Sequence, residues 1–575
     1  MKNNFRIKKY WMEFTFLGMV FLALSFLIMT EGVWTYIDAV FLLKNKAYFL
    51  GYIEHAQLFE RGTSSFGYDS SFFVARLLSV EIADGLRFIF GYDGGVVVLY
   101  LIFFGVNFWS TTKILNYFFS KKVSFLGGMF FAFNPIALFF LNKTGFLFAY
   151  SSLPIIILSF IKYFFDKSAY KWIWIFNSVI GFYFIVSYPR ITGIYGIFFL
   201  ILGILFWKDI VSIFKDKKKE LLYYFIFHAV LFAPVFFPVL FYYLSETNYS
   251  TNVSNYTEMS QQFSDNLYNS ILKDNFFESY FLTEISDNFA LLFQRGIIFK
   301  IISLVLMLSL ISWALLILSN KVNKIYLMKK RDVLGLAMLG IIFLSITVVS
   351  LPRFVDADIF KKITYSLFPF IAGNTKWIYL ALAVSSSYLI SWVAFSQRKF
   401  FKLISVVVLV YCIISIWPLL NYANNPKLKT ISFESIPEIY KKNFYDKNSN
   451  RTRPAMFFPS DQVNNNLIFS WSPYPVDVTF GDPYKPVFSN NSRISSSSQS
   501  LFYNELRKMN NSIYNAYVFN LEDVFIFKDV KNDEVGYDFF PQKNYVQLSK
   551  DYYGRMKGER EYSLKEEDEH LAHFV

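Results

Sequence analysis

A carboxylate serves as a base only where its surroundings raise its pKa, and a cation stabilises a leaving anion only where the charge develops. Few residues of either kind stand where they would matter. Asp38 follows the first long apolar run and opens a segment, 31–95, in which Glu54, Glu60, Asp69, Glu81, Asp84 and Asp93 also gather. A carboxylate at the edge of an apolar layer is tuned toward general-base work, so Asp38 is the candidate catalytic residue. The same residue fits equally the cap of an interfacial helix beginning near Ala39. Arg190, in Tyr188-Pro189-Arg190-Ile191-Thr192, is an isolated cation in a short turn between apolar runs. It needs an anionic partner, either a phosphate group or a loop carboxylate. Lys376, in Gly373-Asn374-Thr375-Lys376-Trp377, opens another apolar run. It reads as a second cation of such a site or as a lysine reaching along apolar surface to water. Glu54-His55 and Tyr68-Asp69 have the chemistry to bind hydroxyl groups or a divalent cation. One carboxylate and one histidine fall short of a metal site, so no metal ligands are assigned and a divalent cation is left open as a cofactor.

The elements that must carry these residues are membrane helices. The 575 residues are 54% hydrophobic and 21% aromatic, only 17% charged, with a mean hydropathy of +0.35. A water-soluble domain of this size does not have that composition. Crossing about 30 Å of hydrocarbon takes roughly 20 apolar residues, and about eleven such runs are present. They lie near 14–29, 96–109, 125–141, 146–164, 172–186, 194–207, 222–244, 297–318, 333–351, 377–395 and 403–420. Prolines within them, such as Pro154, Pro234 and Pro238, are tolerated where neighbouring helices satisfy the freed backbone groups. The first run lacks a small-residue cleavage site and reads as a retained anchor.

Basic residues alternate between loops. Lys2, Arg6, Lys8 and Lys9 precede the first run. Clusters at Lys113–Lys122, Lys162–Lys171, Lys208–Lys219, Lys321–Arg331 and Arg398–Lys402 follow at every second loop, while the intervening short loops hold little more than Lys143 and Arg190. The positive-inside rule then predicts a multi-pass plasma-membrane protein with a cytoplasmic N-terminus and an extracytoplasmic C-terminus. The net charge of +13 is explained by topology. Scattered over separate loops, it is a poor footprint for nucleic acid. The span interiors are almost free of ionisable groups, which disfavours an ion-coupled pathway. His228 is the main exception and reads as an interfacial histidine.

The predicted fold is a polytopic α-helical membrane domain, 1–421, with outer loops at 31–95 and 245–295, followed by a soluble extracytoplasmic α/β or β-rich domain, 422–575. In the latter, 455–458, 466–469 and 524–527 read as strands, and the charged stretch 557–569 reads as a terminal helix. With Cys412 the single cysteine and inside the last span, no internal disulfide is available to this domain.

Three short stretches, and a weaker fourth, carry a resemblance to the GT-C glycosyltransferases, nearest the branch with the mycobacterial α-(1→3)-arabinofuranosyltransferase. Trp34-Thr35-Tyr36-Ile37-Asp38 opens a long first loop, as the acidic motif of these enzymes does. Phe131-Ala132-Phe133-Asn134-Pro135 ends a span as a similar Asn-Pro does in the family. Tyr188-Pro189-Arg190 stands where relatives often have Asp-Pro-Arg, the acid here replaced by Tyr188. Gly373-Asn374-Thr375-Lys376 echoes an Asn/Asp-Pro-x-Lys element without its proline. The resemblance implies a polyprenyl-phosphate-linked sugar as donor and a cell-surface glycan, lipid or protein as acceptor. Asp38 would then be the base, and Arg190, Tyr188, Lys376, Asn374, Glu54, His55 and Asp69 would contact the phosphate or the sugars. The other class left open is a non-catalytic scaffold or a flippase for lipid-linked glycans.

Overall fold

The computed structural model of the chain describes chiefly residues 2–29, 88–139, 144–166, 170–186, 189–231, 330–350 and 376–422. In the C-terminal part it describes 437–440, 455–458, 467–471, 523–531, 545–558 and 563–575, with isolated short pieces besides. Two compact units are present. One comprises Met1–Met29, Val97–Phe237 and Ser254–Leu428; the other comprises Thr30–Val96, Pro238–Val253 and Lys429–Val575.

The first unit is helical among the described residues. Its helices are α1 (Lys2–Met29), α2 (Tyr92–Leu115), α3 (Lys121–Phe133), α4 (Pro135–Phe139), α5 (Thr144–Phe164) and α6 (Lys171–Val186), then α7 (Pro189–Leu205), α8 (Trp207–Asp216), α9 (Lys330–Ser350), α10 (Lys376–Ser396) and α11 (Phe401–Tyr422). A further helical stretch covers 218–231. Burial shows why these helices need lipid. On α11, Leu403, Val406, Val410 and Ile413 lie along one exposed stripe, while Ile404, Val408, Tyr411 and Cys412 are buried. On α1, Phe14, Leu17 and Phe21 are exposed, and Met19, Val20 and Ala23 are buried. A helix in water carries polar residues on the stripe that faces away from the core; here that stripe is apolar. Val97–Leu115, Leu147–Phe164 and Arg398–Ile416 are long and apolar enough to cross a membrane. A fourth span results if Ile191–Leu205 and Trp207–Asp216, bent by 75° at their junction, form one. Trp11–Leu24, Lys171–Ile185 and Leu380–Ser396 are apolar but shorter. Thus a helical membrane unit is present, with four such spans at most among the described residues; the runs at 297–318 and beyond 233 fall mainly outside them.

Small residues set the closest approaches. A Cβ on Gly127 of α3 would collide with the backbone carbonyl of Ser387 and with Ser391 on α10, and one on Gly128 with Thr112 of α2. Ser387 and Ser391 donate to the Gly127 and Val123 carbonyls at 2.8 and 3.2 Å. Glycine and serine let membrane helices pack backbone to backbone, where no hydrophobic force between helices exists.

Five of the basic clusters share one end of this bundle. Phe118 meets Phe206 and Tyr388, and Phe119 meets Phe395. Lys217 donates to the Phe164 carbonyl and Tyr163 to that of Glu220, Lys330 pairs with Asp209, and Arg331 and Arg398 both lie over the Phe395 ring.

In the second unit a mixed five-stranded sheet has the order β6-β3-β7-β10-β9, formed by Ala455–Phe458 (β3), Val487–Phe488 (β6), Asp523–Phe527 (β7), Leu564–Glu567 (β9) and Leu571–Phe574 (β10). β3 runs parallel to β6 and β7; β10 is antiparallel to β7 and β9. A three-stranded antiparallel sheet combines Leu467–Phe469 (β4), Pro475–Val476 (β5) and Val530–Lys531 (β8). The expected strands at 455–458, 466–469 and 524–527 are present. The expected terminal helix at 557–569 is not: the helix, α12, is Tyr545–Gly558, and Leu564–Glu567 is an edge strand. A charged run suits either state, and pairing with the apolar Leu571–Phe574 decided between them.

Candidate functional site

At the end of the bundle away from the basic clusters, two of the sequence motifs meet. The local chemistry of Asn134-Pro135 explains the first. A residue before proline is pushed out of the helical region, and Asn134 accordingly has φ −74° and ψ 161° at the end of α3. Pro135 has no N–H to give the Phe131 carbonyl, so that acceptor needs other donors. Tyr150 Oη supplies one at 2.8 Å and Asn134 Nδ2 stands at 2.9 Å. The same amide nitrogen lies 3.0 Å from the Phe130 carbonyl and 2.8 Å from Tyr150 Oη. Having two hydrogens for three acceptors, it gives one to Tyr150 and shares the other between the carbonyls. Asn134 Oδ1 accepts from the N–H groups of Ile136 and Ala137 at 2.9 and 3.1 Å. Asn134 is therefore at once the end of α3 and the N-cap of α4, with proline in the first position. The residue is 1% exposed, so these bonds replace water in full.

The second motif is tied to the first through two tyrosines. Tyr195 on α7 donates to the Tyr150 carbonyl on α5 at 3.0 Å, and both rings are buried. Thr192 Oγ1 donates to the Ile185 carbonyl at 2.6 Å, closing the turn between α6 and α7. Pro189 and Arg190 open α7, so the first turn of that helix is fixed from both sides. Lys376 opens α10, which runs antiparallel to α3 through the Ser387–Gly127 and Ser391–Val123 bonds and packs on α4. That register directs the start of α10 toward the Asn134 end of α3.

The remaining sequence candidates divide by place. Asp69 is in β2 (Tyr68–Asp69), paired antiparallel with β1 (Phe59–Glu60) in the second unit. Asp38, Glu54, His55, Tyr188 and Asn374 lie outside the described residues. Among the described residues no group of three or more His, Cys, Asp or Glu is placed to hold a metal.

Sequence reasoning missed Tyr150 and Tyr195. Their signal was a polar tip inside an apolar run, and that signal is shared by many of the chain's 40 tyrosines. His228 proves to be partnered: Nδ1 meets the Tyr224 carbonyl at 2.8 Å and Nε2 meets Ser178 Oγ at 3.1 Å, with the Tyr224 ring 4.1 Å away. That is a satisfied polar cluster between helices.

No protein-family profile matches the chain, and no curated protein does. Among solved structures it is similar to the arabinofuranosyltransferase AftD from mycobacteria, determined by single-particle cryo-EM. The identity is 11% and the TM-score 0.46, over 99% of this chain and 40% of that one. The chain thus spans 40% of the length of that protein. A likeness this remote leaves the activity to be argued from the chain's own residues.

Proposed function

We propose that the chain is a GT-C-type membrane glycosyltransferase working at the extracytoplasmic face. A polyprenyl-phosphate-linked sugar is the donor, and a cell-surface glycan, lipid or protein is the acceptor. The reading is supported by one observation: the Asn134-Pro135 joint is hydrogen-bonded through Tyr150 to Tyr195 on α7, the helix that Pro189-Arg190 opens. The basic clusters occupy the other end of the bundle, so this assembly belongs to the end with sparse positive charge.

In this reading the acceptor hydroxyl attacks the anomeric carbon as its proton passes to Asp38, and the bond to the polyprenyl phosphate breaks. Arg190, at the fixed start of α7, holds the phosphate as it gathers charge, and Lys376 supplies a second cation. Tyr188, Asn374, Glu54, His55 and Asp69 contact the sugars or the phosphate. A cation at a helix start is suited to this role because it stabilises the transition state best where it need not be reoriented during reaction.

The test is release of polyprenyl phosphate by purified protein given a panel of polyprenyl-phosphate sugars. Asp38→Asn is expected to insert normally and to lower turnover at least about 100-fold, the scale of a lost general base. Arg190→Gln is expected to lower it on the order of 100-fold or more, as loss of a charge-stabilising donor does. Full activity or full complementation by Asp38→Asn overturns the catalytic assignment and leaves the scaffold or flippase class.

A further inference from the structure

A cavity of about 920 Å³ lies within the helical unit, at the end that carries the basic clusters. Its walls are apolar, with Leu153, Ile157, Phe160, Phe199, Leu202 and Phe206 among them. Its charged groups, Asp209, Lys330 and Arg331, collect at one end. Ligand pockets run to roughly 300–1,000 Å³, so this one is large, and its composition admits little but hydrocarbon over most of its depth.

Its dimensions match a membrane leaflet. The wall residues Leu153 and Phe165 on and just past α5 are about 18 Å apart along the axis at 1.5 Å per residue. Half of a hydrocarbon core of about 30 Å is about 15 Å. The slot therefore runs from the interfacial level, marked by the half-exposed Tyr117, Phe165 and Phe225, to the region of Phe131 beneath the Asn134 joint.

The polar end has one donor to spare. Asp209 is taken by Lys330, and the carboxylate of Asp332 accepts from Trp392 Nε1 at 2.9 Å. Arg331 Nε is ion-paired with Asp332 at 3.6 Å but has no hydrogen-bond acceptor. The Arg331 guanidinium lies 4.1 Å over the Phe395 ring, with Arg398 on the same ring at 5.2 Å. Of the charges lining the cavity, two are positive and one is negative. An apolar slot one leaflet deep, ending in a guanidinium whose Nε has an ion pair but no hydrogen-bond acceptor, is complementary to a lipid whose head is a phosphate.

We propose that this cavity binds one acyl chain of an anionic glycerophospholipid from the leaflet on the basic side, with the phosphate held at Arg331. The site is distinct from the proposed catalytic end and does not depend on that assignment.

Gly203 provides the test. It lines the cavity, and a Cβ placed on it meets nothing within 4 Å, so Gly203→Trp can introduce a bulky ring at the cavity wall. Full-length protein in detergent, stripped of lipid, is offered phosphatidylglycerol, phosphatidylcholine or undecaprenyl phosphate and analysed by native mass spectrometry. One phosphatidylglycerol should be retained per chain, about tenfold more tightly than phosphatidylcholine. Gly203→Trp should weaken it at least about tenfold, as should Arg331→Gln, with Arg331→Lys partly restoring it. Equal retention of the two phospholipids, tighter binding of undecaprenyl phosphate, or wild-type retention by Gly203→Trp overturns the proposal. If Arg331→Gln fails to fold, the glycine variant alone decides.

Discussion

At the scale of single residues, the joint at Asn134 is the feature whose removal is most costly. Asn134→Ala strips the caps from Ile136 and Ala137 and leaves the Phe130 carbonyl without that donor, all in a buried place. The expected loss is about 1–3 kcal/mol, against about 1 kcal/mol for Tyr150→Phe, which leaves Asn134 its backbone partners. Thermal unfolding of the purified protein in detergent checks the order of the two. In the soluble unit, Glu566 sets a pH response. Burial acts to raise its pKa, but hydrogen bonds from Lys442, Asn443 and His573 outweigh that and hold it below its ordinary 4.5. A depressed carboxylate adds stability above its unfolded pKa and loses it as pH falls through the folded value. Asp529 works the other way: burial raises it, opposed by hydrogen bonds from Tyr440 and His570, so its ionisation costs stability as pH rises. Hydrogen exchange of 563–575 in the full chain, corrected for intrinsic rates, should lose protection as pH falls from the ordinary 4.5 of Glu566 through its lower folded value. Glu566→Gln should flatten that loss. The Asn-Pro pair was legible as a motif; its five bonds were not, because four of the partners lie on its own broken helix and the fifth on a separate one.

At the scale of elements, contacts between helices are set by where side chains are missing. A Cβ on Gly335 of α9 would stand 2.6 Å from the buried Trp392 ring of α10, whereas one on Gly196 of α7 meets nothing within 4 Å. Gly335→Leu should therefore destabilise by at least about 1–3 kcal/mol, the scale of overpacking. Gly196→Ala should be neutral or stabilise by up to about 1 kcal/mol through helix propensity. Midpoints of thermal unfolding, measured side by side, separate the two. The apolar runs announced the helices because period and length are local properties. The bend of 75° between α7 and α8 was not announced, nor was the strand at Leu564–Glu567, whose hairpin partner Leu571–Phe574 is itself held by pairing with Asp523–Phe527 far up the chain.

Across the whole molecule, the alternation of charge has a structural counterpart: loops separated by long hydrophobic runs bring their lysines and arginines to one end of the bundle. If that end is cytoplasmic, in a Cys412→Ala background Lys402→Cys should resist a membrane-impermeant maleimide in intact cells. Lys557→Cys in the C-terminal unit should react. Both side chains are exposed, so labelling reports sidedness and not burial. The reverse pattern would move the proposed chemistry to the other face. The amino-acid sequence by itself determined the membrane class, the helical runs, the strands at 455–458 and 524–527, and the polarity of the loops, all of which follow from local hydropathy and charge. Only the tertiary structure decided that Asn134, Tyr150 and Tyr195 form one hydrogen-bonded assembly joining α3, α5 and α7, and that Arg331 ends a leaflet-deep apolar slot. Hydrogen bonds and cavities belong to pairs of surfaces, and the pairing of helices in lipid is set by the fit of small residues, which hydropathy does not record.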